Sequence, residues 1–344
     1  MHTQHPPLKF LSPAWFSIVM GLAGLALTWF NAQARMGEPA RLLAMALGAV
    51  AATVFVVLLV LSLRRAQQFP QAVAQDLAHP VRHAFVATVP VGMLLLLALF
   101  VQVLGPSTWL SVAWCVTACA QMVVTWWVLS RWLQPAVPDD SGNTAMWPGI
   151  TPVLFIPVVG NVVAPLAGVA LGFETWSVMQ LAIALFFWPM VFVLVLARRA
   201  AHSALPPKLL PTWFITVAPP SVGGVVALQM GAPLWLAHMA WAVALFTLLW
   251  VAPVLRRAAD EGFHVGFWAM SFPLAAFTSL TLKLSAATPA NVLLALAAMA
   301  ALVLTNVVIF MLALSTWRGL KAGSLLVPEA PVAVAGTLIP IRAV

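Results

Sequence analysis

The stretch Gly266–Lys283, which reads GFWAMSFPLAAFTSLTLK, decides how the chain is interpreted. It is apolar over a membrane-spanning length, and Lys283 at its end is its only charged residue. Pro273 lies near its middle, where a proline removes one backbone hydrogen bond and bends the helix axis. In lipid, such a break requires neighbouring helices or hydroxyl groups to satisfy the freed carbonyl. We therefore expect a bent helix that lines a path, with the Phe272 ring at the bend.

The composition of the chain is that of an integral membrane protein. Of its 344 residues, 63% are hydrophobic and 7% are charged, and the mean hydropathy is +1.03. The apolar runs are continuous, which excludes the alternating pattern of an outer-membrane barrel. The net charge of +8 would suggest nucleic acid for a soluble chain, but the basic residues here lie at the ends of apolar runs. We therefore expect a lipid bilayer and no nucleic acid as partner.

Ten apolar segments are long enough to cross a bilayer as helices. The predicted spans are residues 13–30, 41–63, 81–104, 108–132, 149–171, 176–197, 211–229, 233–254, 265–284 and 290–314. The connections are short, so neighbouring spans should pack as antiparallel hairpins. This divides the chain into an N-terminal segment (1–12), a ten-helix domain (13–315) and a C-terminal tail (316–344).

Basic residues recur after every second span, about every 60 residues, which is typical of a repeat of helical hairpins. They are Arg64 and Arg65, Arg131, Arg198 and Arg199, Arg256 and Arg257, and Arg318 with Lys321. By the positive-inside rule these ends face the cytoplasm. The sequence thus predicts a multi-pass protein of the bacterial inner membrane with both termini in the cytoplasm.

Glycine and proline distinguish the odd spans from the even ones. The candidate pore-lining or kink residues are Gly21, Gly24, Pro90, Gly160, Asn161, Pro219, Pro220 and Pro273, all in odd spans. Small residues make room beside a narrow water path, whereas a helix that faces lipid gains nothing from bends. We therefore predict an all-α fold of five helical hairpins in quasi-five-fold arrangement, with an inner ring of odd helices around a central pore. The alternative is that both residue types are simply common in membrane helices.

The polar residues indicate transport rather than catalysis. All eight acids lie in loops or at span edges, and no ATPase or metalloprotease motif is present. We expect no enzyme activity, no cofactor and no metal. A path with hydroxyl groups and helix dipoles but no acids suits small anions. Phe272 has two interpretations that the residues leave open, namely core packing or a gate that closes the path.

Four segments resemble the tellurite-resistance and dicarboxylate transporter family, which includes bacterial TehA and the plant slow-type anion channels. They are Phe16–Gly24 (FSIVMGLAG), Val159–Asn161 (VGN), Ala218–Val222 (APPSV) and Trp268–Leu274 (WAMSFPL). The resemblance covers roughly residues 12–315. It implies five hairpins around a pore, a homotrimer with one pore per subunit, occlusion by the phenylalanine that matches Phe272, and anion passage without a cofactor. Ser17 and Ser271 depart from the family pattern, where glycine and threonine are common.

Two functions follow from these patterns. The first is a gated passive anion channel with Phe272 as the plug. The second is a secondary transporter that exports sulphite or tellurite-related oxyanions, or moves a dicarboxylate such as malate. The lack of an intramembrane carboxylate is evidence against obligatory proton coupling. A third class, an intramembrane enzyme or a scaffold, has no converging constellation of residues to support it.

Overall fold

The computed structural model describes residues 6–133, 149–201, 205–260 and 262–328, and this part of the chain is helical throughout its regular structure. Within it, nine helices are long and apolar enough to cross a membrane, and a tenth apolar helix, α5, is shorter. In chain order the ten are α1 Pro13–Met36, α2 Glu38–Gln68, α3 Arg82–Leu104, α4 Thr108–Leu133, α5 Pro152–Gly168, α6 Glu174–Ala200, α7 Pro207–Gln229, α8 Leu234–Val251, α9 Val265–Ala287 and α10 Val292–Lys321. The prediction of a multi-span helical membrane protein is confirmed.

The helix boundaries differ from the predicted spans in three informative places. The fifth span is interrupted at Ala164, between the helical segments Phe155–Val163 and Pro165–Gly168. The tenth helix continues to Lys321, beyond the predicted start of the tail at residue 316. Residues 329–344 of that tail lie outside the described residues. A short helix, Pro70–Ala78, lies between α2 and α3 and was not expected from hydropathy.

The contacts between helices follow a regular order. Consecutive helices pack in pairs, α1 with α2, α3 with α4, α5 with α6, α7 with α8, and α9 with α10. The odd helices also contact one another in the closed order α1, α3, α5, α7, α9 and back to α1. Each even helix contacts the odd helices on both of its sides. The odd helices therefore form the interior of the bundle, and the even helices lie around them.

Burial also distinguishes the odd helices from the even helices. Over an apolar stretch of 18 residues in each helix, 72–89% of the residues are buried in α1, α3, α7 and α9, whereas 22–33% are buried in the even helices. In α5 every residue from Pro152 to Leu166 is buried. The exposed side chains of the even helices include many large apolar ones, such as Trp126, Phe246 and Phe310. A surface of this kind is compatible with lipid and not with water.

Each odd helix starts with a 3₁₀ segment and then becomes α-helical. The 3₁₀ segments are Pro13–Phe16, Arg82–Ala87, Pro152–Leu154, Pro207–Val217 and Val265–Met270. In α9 the change occurs between Met270 and Ser271, so Pro273 is the third residue of the α-helical part. Pro273, the predicted kink residue, therefore lies just after a change of helix type. Pro273 then costs little, because the first four N–H groups of an α-helix have no intrahelical partner.

Candidate functional site

Two cavities lie along the interior of the odd helices. The large cavity has a volume of about 320 Å³ and the small cavity about 20 Å³. The large cavity is lined by the middle and C-terminal parts of all five odd helices, together with Ala170 just after α5, and the small cavity by their N-terminal halves. The five odd helices therefore run in the same direction, with their N-termini at the end of the bundle where the small cavity lies.

Phe272 is the residue that borders both cavities. Its side chain is 4% exposed, and it stands on the second residue of the α-helical part of α9. Gly24 of α1 makes room for its ring, because a Cβ atom at Gly24 would lie 3.2 Å from Cδ2 of Phe272 and 3.1 Å from Cβ of Ala275. Phe272 thus lines both spaces, and its ring packs directly against the Gly24 backbone.

The α1–α9 contact that carries this ring is fixed by buried hydroxyl groups. Thr28 is fully buried, and its Oγ1 lies 3.0 Å from the Ala275 carbonyl oxygen and 3.0 Å from Oγ of Ser279. Below the ring, the Cβ position of Gly21 meets the Ser271 side chain, whose hydroxyl donates to the Trp268 carbonyl oxygen at 2.6 Å. Hydrogen bonds between helices add about 0.6 kcal/mol each on average in a membrane, so this contact holds α9 in a defined register on α1.

Gly160 and Asn161 lie at the contact between α5 and α4. The Cβ position of Gly160 meets the Gln121 side-chain amide. The Pro157 carbonyl oxygen accepts hydrogen bonds from Gln121 Nε2 (2.8 Å), Thr125 Oγ1 (2.7 Å) and Asn161 Nδ2 (3.0 Å). Gln121 and Thr125 thereby join α4 to the backbone of the buried helix α5.

Four prolines occupy the same position in their odd helices. Pro90, Pro157, Pro220 and Pro273 are each the third residue of the α-helical part of their helix, and Pro219 is the second residue in α7. In four odd helices, a hydroxyl group lies at or just before the change from 3₁₀ to α-helix and donates to the carbonyl oxygen three residues earlier. The donors are Ser17, Thr88, Thr216 and Ser271. Of the candidate residues, Gly24, Phe272 and Pro273 border a cavity, whereas Gly21, Pro90, Gly160, Asn161, Pro219 and Pro220 lie in the packing around them.

The sequence analysis did not single out Asn31, Gln102 and Gln229, which line the large cavity. Its lining includes Asn31, Gln102, Gln229, Ser279 and Lys283 and no acid among the described residues. Asn31, Gln102 and Gln229 are partly or fully exposed, so the cavity opens at this end of the bundle. The sequence could have indicated these three residues, because each is a polar residue in the last two turns of an otherwise apolar odd helix.

At the opposite end, His264 precedes α9 and packs against Phe267, with ring centroids 4.7 Å apart and the ring planes tilted by 48°. Burial, reinforced by the positive charge of Lys208, lowers the pKa of His264 to about 4. The imidazole is therefore neutral at physiological pH and belongs to the packing at the start of α9.

Comparison with known proteins agrees with this geometry. Over 327 residues the chain is 25% identical to the protein named "Tellurite resistance protein TehA homolog" from Haemophilus influenzae, which covers 94% of this chain and 95% of that protein. It is 26% identical over 220 residues to the S-type anion channel SLAH2 of Arabidopsis thaliana, covering 63% of this chain and 41% of SLAH2. It is 22% identical over 313 residues to the sulfite efflux pump SSU1 of Arthroderma otae, covering 79% and 81%.

The family comparison covers nearly the whole helical bundle. Residues 11–317 match a single family, described as voltage-dependent anion channel, and this range includes α1 to α9 and nearly all of α10. The match therefore contains all the residues that line the two cavities, Phe272 among them. The chain belongs to the SLAC1 family of voltage-dependent anion channels.

Proposed function

We propose that this protein is a gated passive anion channel in which the Phe272 ring closes a central pore. The observation that carries the proposal is the position of this side chain, which borders the large cavity on one side and the small cavity on the other. An apolar ring in a narrow passage excludes water and ions, and a change of its rotamer would join the two spaces. Gly24 and Pro273 adjoin the gate, and the other candidate residues, Gly21, Pro90, Gly160, Asn161, Pro219 and Pro220, set the spacing of the helices around it.

The wider arrangement belongs to the same proposal. Ten membrane crossings form five hairpins with quasi-five-fold symmetry, the inner ring being α1, α3, α5, α7 and α9. The protein lies in the bacterial inner membrane with both termini in the cytoplasm, because the basic residues gather at that end. The assembly is a homotrimer with one pore per subunit. An inside-negative potential drives anions outward by about 2.3 kcal/mol per charge per 100 mV, so export is the favoured direction.

The test compares wild type with Phe272→Ala and with Phe277→Ala as a matched control. Phe277 lies on the same helix, is 6% exposed and stacks on Trp241, and it is not part of the lining of either cavity. We expect Phe272→Ala to raise the anion current at least tenfold, which corresponds to a barrier lowered by about 1.4 kcal/mol. Phe277→Ala should leave the current unchanged. Equal currents in wild type and folded Phe272→Ala would refute the gate.

The second candidate is a secondary transporter of sulphite, tellurite-related oxyanions or a dicarboxylate. It is favoured by the match to a protein named sulfite efflux pump. Reversal potentials across a panel of chloride, nitrate, sulphite and malate separate the two functions. A channel gives currents that reverse at the Nernst potential of the permeant anion, whereas an electroneutral exporter gives a saturable, pH-dependent flux without current.

A further inference from the structure

We propose that the large cavity holds a binding site for a small, singly charged anion, with the Lys283 ammonium group as its cationic centre. Lys283 lies in the last turns of α9, half-buried, and it lines the cavity together with residues from all five odd helices. It is the charged residue of that lining. Nothing in the anion-channel proposal requires this residue, so the two ideas stand on different observations.

The charge of Lys283 is not neutralised within the described residues. The ion pairs there join Arg41 to Glu38, and Arg65 and Arg82 to Asp76, and none includes Lys283. A cation in a partly enclosed cavity without a carboxylate attracts an anion more strongly than one at an open surface, because little water screens it. The unpaired ammonium group thus supplies the charge that such a site needs.

The cavity also supplies neutral donors. Asn31 of α1 and Gln102 of α3, two residues with side-chain amides, line the cavity from two other helices. Each amide carries two N–H donors, so an anion beside Lys283 can exchange part of its hydration shell for these groups. Ser279 is already engaged with Thr28, with 3.0 Å between the two hydroxyl oxygens, and takes a secondary place.

Two structural roles for Lys283 fit less well. Arg35 already caps the C-terminal end of α9, because its Nη2 donates to the Ser285 carbonyl oxygen at 2.9 Å. Lys283 is therefore not needed to cap that helix. A lysine that extends to lipid headgroups requires a helix that faces lipid. In α9, however, 89% of an apolar 18-residue stretch is buried. The position of Lys283 inside the cavity is therefore better explained by a ligand.

The single charge sets the class of ligand. One ammonium group balances one negative charge, and the lining offers no second cation for the other carboxylate of a dicarboxylate. Halide, nitrate or hydrogen sulphite suits the site, and malate does not. The consequence for transport, that Lys283 concentrates such anions at one mouth of the path, rests on the proposed function, whereas the binding itself does not.

The test measures iodide binding to the purified protein in a neutral detergent without anionic lipid. The melting temperature is followed as sodium iodide replaces sodium gluconate at constant ionic strength, for wild type, Lys283→Gln, Lys283→Arg and Arg41→Gln. Arg41→Gln is the matched control, because it removes one positive charge near the same end of the bundle from a side chain outside the cavity. We expect a saturable rise for wild type, Lys283→Arg and Arg41→Gln, its loss in Lys283→Gln, and no rise with malate.

An iodide response in Lys283→Gln equal to that of wild type would overturn the site. So would a Lys283-dependent rise that requires added phosphatidylglycerol, which would identify a lipid headgroup as the ligand. If Lys283→Gln fails to fold, crystals of wild type soaked in iodide decide, since an anomalous peak beside Nζ of Lys283 supports the site and peaks confined to other places overturn it. Iodide binding does not require an open gate, so a failure of Phe272→Ala to conduct would remove the channel and leave this site intact.

Discussion

Neutralising Asp76 should destabilise the protein far more than neutralising any other described acid. The Asp76 side chain is buried between α2 and α3, on the short helix Pro70–Ala78. Its Oδ2 accepts a hydrogen bond from Arg65 Nη2 at 2.6 Å, and its Oδ1 lies 3.0 Å from Arg82 Nη1. Arg65 also donates from Nε to the Lys9 carbonyl oxygen at 3.0 Å, so the cluster ties the N-terminal segment to the base of the bundle.

The magnitude follows from the exposure of each partner. The Arg65 and Asp76 side chains are each 6% exposed, and breaking a pair this deeply buried costs about 3–5 kcal/mol because the remaining charge has neither water nor a partner. The Arg82 side chain is 36% exposed, so its pair with Asp76 adds about 0–1 kcal/mol, as surface pairs do. Asp76→Asn should therefore lower the free energy of unfolding by about 3–5 kcal/mol.

The assay is equilibrium unfolding in mixed micelles by titration with sodium dodecyl sulphate. Glu38→Gln is the control, since it breaks the Arg41–Glu38 pair, whose side chains are 40% and 66% exposed, and it should cost less than about 1 kcal/mol. The double variant Arg65→Met/Asp76→Leu should recover most of the loss, because the charge that it leaves without a partner, Arg82, is 36% exposed and can be hydrated. A cost for Asp76→Asn no larger than that for Glu38→Gln would refute the reasoning.

Two further predictions concern packing and protonation. Gly160→Ala should cost about 1–3 kcal/mol in the same titration, because its Cβ meets the Gln121 amide; Gly223→Ala, with open space at its Cβ position, should cost nothing, and equal costs would contradict the packing. His264, with its pKa near 4, should make stability fall as pH decreases from about 6.5 to 4, because the unfolded chain then binds more protons than the folded one. His264→Gln should flatten that pH dependence, and an unchanged slope would exclude His264 as its source.

The arrangement of the helices could be predicted from sequence because residue type reflects burial helix by helix. Small and helix-breaking residues are tolerated where protein surrounds a helix and satisfies its backbone. In the buried helix α5, Gln121 and Thr125 of α4 donate to the Pro157 carbonyl oxygen. The even helices face outward and carry few glycines and prolines. The contrast in glycine and proline content therefore predicted which helices are buried, and the structure confirms that difference in burial.

The site was harder to predict from the sequence than the fold, because a cavity depends on which side chains meet across helices. The sequence suggested that glycines leave a path open, yet Gly21 and Gly160 have the side chains of Ser271 and Gln121 directly against them. Their small size is used for close packing between helices. The buried ion pair of Asp76 was missed for a similar reason, since its partners Arg65 and Arg82 belong to different helices.

The repeated switch from 3₁₀ to α-helix explains why one phenylalanine matters among the 19 of the chain. Proline takes the third position of the α-helical part in four odd helices, so the residue before it occupies the same position in each, namely Val89, Ile156, Pro219 and Phe272. Parallel helices of an inner ring bring equivalent positions to a similar depth. Three of these side chains are aliphatic or cyclic and small, and Phe272 is the aromatic one. In the channel that we propose, this single large ring closes the passage at that depth, and a change of its rotamer opens it.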